Sequence, residues 1–397
     1  MRVLAALTAA QLFGAGQHAL GVAADSAIDL SGGALAVAEQ QAWSVSSVSR
    51  SIKLSANTAS ATVTMQIENV GKVPLDSFAV RWSTAFSARV GHITASRKGG
   101  AGSFTVAMQP GLPDGISEIK SAVINLDQTA AKGEKMTLVY TLHMGLPYVP
   151  LPKEIDLFQD QWLVFEDSQC VPSPYNIGKQ TTVAELPDSA GEVESFTEGA
   201  QRQGKKITWD ESFCQGGKAS ITDSGEKKPL RIHFGHNAHQ AYFKTVKREI
   251  EVSHWGNIAF TEDYKLHHGG AQMTGSFSRV SFTWADYRDK GMQTPPNPVV
   301  TGMQELSAVL PKTARNLHYR DEIGNISSSN ARRDDRGYVL AQIRPRYPLL
   351  GGWNADWAFS YDVPTRSALK VDVATDCADI FPETNRRSVI AGRSLRH

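Results

Sequence analysis

The segment Thr62-Val63-Thr64-Met65-Gln66-Ile67-Glu68 alternates polar and apolar side chains residue by residue. Successive side chains of a β-strand point to opposite faces, so Val63, Met65 and Ile67 would share one face of a half-buried strand. Turn-forming residues follow at once, in Asn69-Val70-Gly71. This pattern predicts a strand that ends in a tight turn, as in an antiparallel sheet.

The same alternation returns along the chain, whereas long helical periodicity is scarce. It is found at Met136, Leu138, Tyr140, Leu142 and Met144, at Phe104 and Val106, and at Ile250 and Val252. Many short strands separated by turn residues are typical of antiparallel sandwiches. We therefore predict a mainly β protein with two β-sandwich-like domains in series.

Length and charge limit the classes of function. The chain has 397 residues, which is enough for two or three domains that each bury their own core. Its 41 Lys and Arg residues nearly balance 40 Asp and Glu residues, which leaves a formal charge of +1. Since no global positive field attracts phosphates, we expect no nucleic-acid partner.

The first 24 residues have the pattern of a secretory signal peptide. Arg2 precedes the apolar run from Val3 to Phe13, and small residues gather at Val22-Ala23-Ala24. We predict a signal peptide over residues 1–24, cleaved after about Ala24. The mature chain would then enter an oxidising compartment.

Three cysteines, Cys170, Cys214 and Cys377, are widely spaced. They allow one disulfide within the chain and leave one thiol, and the sequence does not decide which two pair. Their spacing matches neither a zinc ribbon nor a thioredoxin-type redox pair. After the signal segment, no run of 18 apolar residues marks a membrane span.

Composition divides the remaining chain into two domains. The alternating pattern fades over residues 187–228, and we predict a long, mobile, polar surface insertion there. The first domain is predicted over residues 25–230 and includes that insertion. The second is predicted over 231–381, followed by a solvated basic tail at 382–397.

Several histidines are the only candidates for a metal site. They are His233, His236, His239, His254, His267 and His268. In the first three, an i, i+3, i+6 spacing converges on one ion neither on a strand nor on a helix. We therefore expect solvated or hydrogen-bonded histidines, and we predict no metal and no cofactor.

Other candidates for chemistry are equally weak. Glu262-Asp263 and Asp334-Asp335 are adjacent carboxylates, which point apart on a strand, and a solvated surface is the better interpretation. No nucleophile elbow, phosphate-binding loop or zinc-protease motif is present in the sequence. We predict no catalytic residues. Four tryptophans could stack on sugars but are more often core residues in β-rich proteins: Trp255, Trp284, Trp353 and Trp357.

Asn325-Ile326-Ser327 is the single N-x-S/T sequon of the chain. It lies beside Gly324 in a polar stretch, which favours an exposed loop. If the chain enters the lumen of the endoplasmic reticulum (ER), Asn325 is a candidate acceptor for an N-linked glycan.

Four stretches of the C-terminal half resemble the ribophorin I family, whose members are subunits of the ER oligosaccharyltransferase. They are EIEVSHWGNIA at 249–259, GSFSR at 275–279, YRDEIGNIS at 319–327 and IRPRYPLLGGW at 343–353. Upstream, WLVFE at 162–166 and SPY at 173–175 are similar to a strand and a turn of the family's first luminal domain. The similarity is diffuse over residues 44–150.

The resemblance implies an ER-luminal, non-catalytic accessory subunit. Its expected partners are the catalytic and other subunits of the complex, and nascent polypeptides near the translocon. Asn325 corresponds to a position where the family also carries a glycan acceptor. Because the pattern stops after Tyr361 to Pro364, we expect a chain truncated before the family's membrane span, with membrane association through the complex or through that missing span.

Two alternatives remain at this stage. One is a soluble ER-luminal β-sandwich protein that binds glycans or polypeptides outside the complex. The other is a metal-dependent hydrolase built on the histidine cluster.

Overall fold

The structure is a computed structural model. It describes residues 2–5, 43–83, 90–99, 102–109, 119–157, 159–210, 229–280, 301–326, 329–372, 377–380 and 391–393. Most of the predicted signal peptide lies outside these residues, so its removal stays a prediction.

The chain divides into two compact units. The first consists of Val22–Leu151 and Trp162–His236, and the second of Met1–Gly21, Pro152–Gln161 and Asn237–His397. The strand Pro229–Gly235 pairs antiparallel with Trp162–Ser168. This pairing keeps Pro229–Gly235 in the first unit. The domain bounds 25–230 and 231–381 stay predictions.

The strands of the first unit form two sheets. They are β2 (Trp43–Leu54), β3 (Thr58–Asn69), β4 (Leu75–Ser83), β5 (Val90–Arg97), β6 (Ser103–Gln109), β7 (Ile119–Ala130), β8 (Lys135–Gly145), β9 (Tyr148–Pro150), β11 (Trp162–Ser168), β12 (Asn176–Glu185), β13 (Val193–Phe196), β14 (Ala200–Gln203), β15 (Lys206–Trp209) and β16 (Pro229–Gly235). The larger sheet has the order β14-β15-β12-β2-β3-β8-β5-β6-β7-β4, and the smaller has the order β13-β16-β11-β9.

The alternation that predicted β3 is confirmed by burial. Val63, Met65 and Ile67 are buried in one hydrophobic core, while the polar side chains between them are half-buried or exposed. Met136 and Leu138 of β8 lie in the same core. Burial of one face of each strand therefore fixes the register between neighbours.

One pairing departs from the antiparallel expectation. β12 pairs with β2 in parallel, with Asn176 opposite Ser44 and Glu185 opposite Lys53. A parallel neighbour requires a long connection, and β12 is separated from β2 by most of the unit's other strands. The mainly β fold class is confirmed, with antiparallel pairing dominant.

The first part of the polar stretch 187–228, which is predicted as a mobile surface insertion, contains paired strands. β14 and β15 form a hairpin, with Gln203 opposite Lys206, and β15 adds to β12. Ile207 and Trp209 are buried in the core. Residues 211–228 lie outside the described residues.

The second unit is built around one five-stranded sheet of order β1-β17-β18-β24-β21. Its elements are β1 (Arg2–Ala5), β10 (Glu154–Ile155), β17 (Ala241–Val252), β18 (Asn257–His268), β19 (Gln272–Met273), β20 (Glu305–Leu310), β21 (Arg315–Asp321), β22 (Asn330–Arg333), β23 (Val339–Ile343), β24 (Asn354–Pro364), α1 (Thr365–Ala368), β25 (Leu369–Asp372), β26 (Cys377–Ile380) and β27 (Ala391–Arg393). Smaller sheets have the orders β22-β23-β20-β27, β10-β19 and β25-β26. β10 and β19 pair in parallel.

Alternate residues of β18 and β24 form a second core. Phe260 stacks on Tyr361 with ring centroids 5.1 Å apart, and Tyr264 stacks on Trp357 at 5.5 Å. Part of the predicted basic tail pairs with β20, with Arg393 opposite Glu305. Within the described ranges, no helix is long and apolar enough to cross a membrane.

Candidate functional site

The predicted glycan acceptor Asn325 lies just past a tight turn that ends β21. The turn is closed by the Asp321 N–H, which donates to the Gly324 carbonyl at 3.0 Å, and the Ile326 N–H returns to the Tyr319 carbonyl at 3.1 Å. Asn325 is exposed. Its side chain is therefore accessible at the surface of the second unit. Ser327, the third residue of the sequon, lies outside the described residues.

The turn is fixed by an arginine from a distant part of the chain. Arg346 donates from Nε to one Asp321 carboxylate oxygen at 2.6 Å and from Nη2 to the other at 2.9 Å. Asp321 Oδ1 also accepts the backbone N–H groups of Ile323 and Gly324. The Arg346 hydrogen bonds, helped by these backbone donors, lower the pKa of Asp321 from 3.8 to about 2. The two segments are therefore joined by an ion pair at the protein surface.

A row of aromatic rings lies next to this ion pair. Trp353 contacts Tyr347 at 5.9 Å and Phe277 at 5.6 Å between ring centroids, both edge to face. The Tyr347 hydroxyl donates to the Asn354 carbonyl at 3.2 Å. All three rings are only partly buried or exposed, and Trp353 also packs on the second core. Side chains from three of the quoted stretches thus lie together on one surface.

Trp255 lies at the tip of the β17–β18 hairpin and is 97% exposed. Ser253 shapes the tip, because its N–H donates to the Asn257 carbonyl and its Oγ accepts the Trp255 N–H at 3.2 Å. Gly256 has a φ of +98° there, a conformation that favours glycine. A fully exposed indole contributes little to folding and is the type of side chain that anchors protein interfaces.

The four tryptophans considered as sugar platforms have different environments. Trp357 is buried in the second core, and Trp353 packs against it. Trp255 is exposed, and Trp284 lies outside the described residues. Sequence spacing gave no means to separate them, because exposure depends on strand pairing.

The histidines of the 233–239 stretch bind separate oxygen partners. His233 lies 2.7 Å from Glu194 and 2.9 Å from the Leu151 carbonyl. His236 Nε2 lies 3.0 Å from the Ala56 carbonyl, and burial lowers the pKa of His236. His239 Nδ1 lies 2.9 Å from the Thr301 carbonyl.

The later histidines are also held by hydrogen bonds or packing. His268 is buried and contacts His239 edge to face, with ring centroids 5.9 Å apart. Its pKa is lowered to about 3, mainly by burial and secondly by the nearby His239. His267 Nδ1 lies 2.8 Å from Asn354 Oδ1. Across the part of the chain that the structure describes, no three His, Cys, Asp or Glu side chains are grouped to hold a metal ion.

One carboxylate was wrongly expected at the surface. Glu262 is buried, whereas Asp263 beside it is exposed. Arg248 Nη2 lies 2.5 Å from Glu262 Oε1, and the Tyr264 hydroxyl donates to the other oxygen. These three residues form a buried charged cluster on β17 and β18. Strand alternation would have placed Glu262 on the face of Phe260.

Asp334 and Asp335 are both exposed, as predicted. Asp334 Oδ1 accepts the N–H groups of Arg336 at 3.0 Å and Tyr338 at 2.7 Å. These bonds close the loop between β22 and β23, so Asp334 has a structural role.

Comparison with known proteins gives a consistent family. The profile of the family described as Ribophorin I matches residues 43–378, which extends the similarity beyond Pro364. A Caenorhabditis elegans protein named dolichyl-diphosphooligosaccharide–protein glycosyltransferase subunit 1 is 31% identical over 335 residues, or 84% of this chain and 54% of the relative. An Arabidopsis thaliana protein named subunit 1B of the same enzyme is 33% identical over 327 residues, or 81% of this chain and 66% of the relative.

The chain thus spans about half of the C. elegans relative and about two thirds of the A. thaliana relative. Among solved structures, yeast LTA4 hydrolase aligns with a TM-score of 0.30 at 10% identity, over 51% of this chain and 30% of that chain. A similarity of this size supports no statement about activity.

Proposed function

Because the chain belongs to the ribophorin I family, we propose that it is a non-catalytic accessory subunit of the oligosaccharyltransferase complex. It would support N-linked glycosylation of nascent polypeptides by assembling with the catalytic and other subunits and by presenting substrate near the translocon. One observation carries the proposal: the family match covers residues 43–378, and the relatives are named as subunit 1 of that enzyme. The transfer reaction itself is assigned to a separate subunit.

The exposed Trp255 is the proposed contact with a partner subunit. Because Trp255 is 97% exposed, it contributes little to folding of the monomer. Burial of its large indole in an interface would strongly favour binding. The hairpin tip is held by Ser253 and Gly256, so little conformational freedom is lost on binding.

The proposed location is the luminal side of the ER membrane. Two features support it besides the family. Cys170 is disulfide-bonded, which suits an oxidising compartment, and the sequon residue Asn325 is exposed to modifying enzymes. Membrane association is proposed through the complex or through a span beyond the matched region.

Affinity purification from ER membranes in mild detergent tests the assignment. A tag placed directly after Ala24 leaves the natural C-terminus intact, and mass spectrometry identifies the partners. We expect the catalytic subunit in the eluate of the natural chain and of Trp255→Phe, and a severalfold loss with Trp255→Ala. Recovery of the natural chain alone would contradict the proposal and would favour a binding protein that acts outside the complex.

A further inference from the structure

Among the described strands, β17 has a neighbour on only one side over most of its length. β18 pairs with it on one side from Ala241 to Val252. On its other side, among the described residues, only β1 pairs with it, over Arg248 to Glu251. Residues 2–5 belong to the predicted signal peptide. Among the described strands, none would then be left beside the outer row of β17 backbone N–H and C=O groups.

The two halves of this edge differ in how they are protected. The first half carries a register shift between Phe243 and Thr245, and exposed lysines at 244 and 247. Bulges and lysines are common devices that prevent an edge from pairing. Over residues 248–252 the register with β18 is regular, and Arg248 points inward to Glu262. This second half is therefore competent to accept a strand.

The side chains of the second half define what such a strand must carry. Ile250 lies opposite the buried Phe260 and packs on the second core while remaining partly exposed. A residue paired with Ile250 would share that face, so an apolar residue would bury more surface there. Glu251 is exposed on the other face, next to the half-exposed Glu249. A residue paired with Glu251 would favour a positive charge.

The segment that occupies the edge in this structure fits this pattern. Val3 is at the register position of Ile250, and Arg2 is at that of Glu251. The sequence Arg-Val-Leu-Ala thus has an apolar residue at the register position of Ile250 and a basic residue at that of Glu251.

We propose that residues 248–252 of β17 bind an extended polypeptide segment as an added antiparallel strand, with an apolar residue opposite Ile250 and a basic residue opposite Glu251. This inference deepens the proposed role in presenting polypeptides and rests on it, because it supplies a sequence-tolerant mode of binding. Main-chain hydrogen bonds give such binding its affinity, and alternate side chains give it selectivity.

A second copy of the chain is a poorer occupant. Antiparallel pairing of two β17 edges centred on Ile250 would set Glu249 of each copy directly opposite Glu251 of the other. Like charges directly opposite each other destabilise a strand pair. Glu249 and Glu251 therefore select against self-association and in favour of a basic, apolar segment.

The test uses the full chain purified from ER after natural processing, with its N-terminus read by mass spectrometry. The probe is a fluorescein-labelled peptide that carries Arg-Val-Leu-Ala, flanked by Ser and Thr. We expect saturable binding by anisotropy, together with slower amide hydrogen exchange in residues 248–252. A peptide with proline in place of leucine lacks a backbone donor and should bind far more weakly.

A charge swap separates this edge from other surfaces. Glu251→Lys should weaken binding of the arginine peptide about fivefold. A peptide with glutamate in place of arginine should recover that loss. Glu322→Lys is the matched control, because Glu322 is an exposed glutamate next to β21, the opposite edge strand of the same sheet. It should leave the affinity unchanged, and thermal unfolding should show that both variants are folded.

Three results would overturn the inference: a purified chain that retains residues 2–5, equal affinity for Glu251→Lys and the natural chain, or peptide binding without protection of residues 248–252. Co-purification of Glu251→Lys with the catalytic subunit is measured in parallel. Its persistence with loss of peptide binding would separate strand binding from assembly, whereas failure of the natural chain to co-purify counts against the proposed function alone.

Discussion

Arg346 holds both carboxylate oxygens of Asp321, at 2.6 and 2.9 Å, although the two residues are 25 positions apart in the chain. Asp321 belongs to the stretch YRDEIGNIS and Arg346 to IRPRYPLLGGW. Each stretch separately resembles the ribophorin I family, and the structure brings the two into contact. The ion pair fixes the turn that precedes Asn325. The two stretches therefore have a shared structural role in shaping this turn.

Replacing Asp321 by asparagine should destabilise the second unit in a pH-dependent way. Folding lowers the pKa of Asp321 to about 2 from 3.8, so the carboxylate stabilises the folded state fully above its unfolded pKa. That stabilisation is lost as the pH falls through the folded value. The difference in urea midpoint between the natural chain and Asp321→Asn should therefore be largest near neutral pH and should shrink between about pH 4 and pH 2.

Arg346→Lys is the matched variant for this pair. Lysine keeps the charge but cannot form the two-point contact, so the variant should lie between the natural chain and Asp321→Asn at neutral pH. A midpoint difference that stays constant down to pH 2 would contradict the assigned role of the carboxylate.

Asn325 should carry an N-linked glycan in the natural product. Its exposed position past the turn leaves the amide accessible. Asn325→Gln should remove the mobility shift caused by peptide-N-glycosidase, and Asn330→Gln should not, because Asn330 is exposed but lies in no sequon. Identical behaviour of the natural chain and Asn325→Gln would show that the sequon is unused.

The strand pattern could be predicted from sequence because it depends on local burial. Val63 and Met65 alternate with polar residues, and one buried face explains them. The parallel pairing of β12 with β2 could not be predicted, because partner choice is set by contacts between residues far apart in the chain. β14 was hidden for another reason: its side chains are exposed or only partly buried, so no apolar period marks it.

The candidate surfaces show the same division. The sequon is a local motif and was found from three letters. Trp255 could not be distinguished from Trp357 by spacing, since one lies at a hairpin tip and the other is enclosed by Phe243 and Tyr264. The burial of Glu262 could not be predicted, because it depends on pairing with Arg248 of the neighbouring strand.

Trp255→Ala should leave stability unchanged while reducing assembly with the complex. An exposed side chain contributes within about 0.5 kcal/mol to the free energy of unfolding. Trp357→Ala, which removes a buried indole, should cost about 3–5 kcal/mol. Chemical denaturation measures both variants, and loss of stability in Trp255→Ala would show that the tip packs against the fold.

Removal of one partner from the buried charged cluster should be costly. Glu262→Ala leaves Arg248 partly buried without its counter-charge, and the expected loss is about 3 kcal/mol in the free energy of unfolding. The double variant Arg248→Met/Glu262→Leu should recover much of that loss, because two apolar side chains need no partner. If the double variant is instead less stable than Glu262→Ala, the interactions of the cluster themselves stabilise the fold, and the loss in Glu262→Ala is not caused only by an unpaired charge.

Cys170 is disulfide-bonded, and we expect Cys214 to be its partner. The argument starts from Gln180 of β12, whose side chain holds the Val171 N–H at 2.9 Å and the Gln169 carbonyl at 3.2 Å. Thr182, two residues farther along β12, lies opposite Trp209. Cys214 follows Trp209 by five residues in the sequence, whereas Cys377 belongs to the other compact unit.

Peptide mapping without reduction should therefore recover the tryptic peptides of Cys170 and Cys214 joined, with Cys377 available to alkylation after unfolding. Cys170→Ser and Cys214→Ser should lower stability equally, by about 3–4 kcal/mol for a loop of this size. Cys377→Ser should leave the stability unchanged. Equal losses for Cys170→Ser and Cys377→Ser, with none for Cys214→Ser, would instead assign the bond to Cys377.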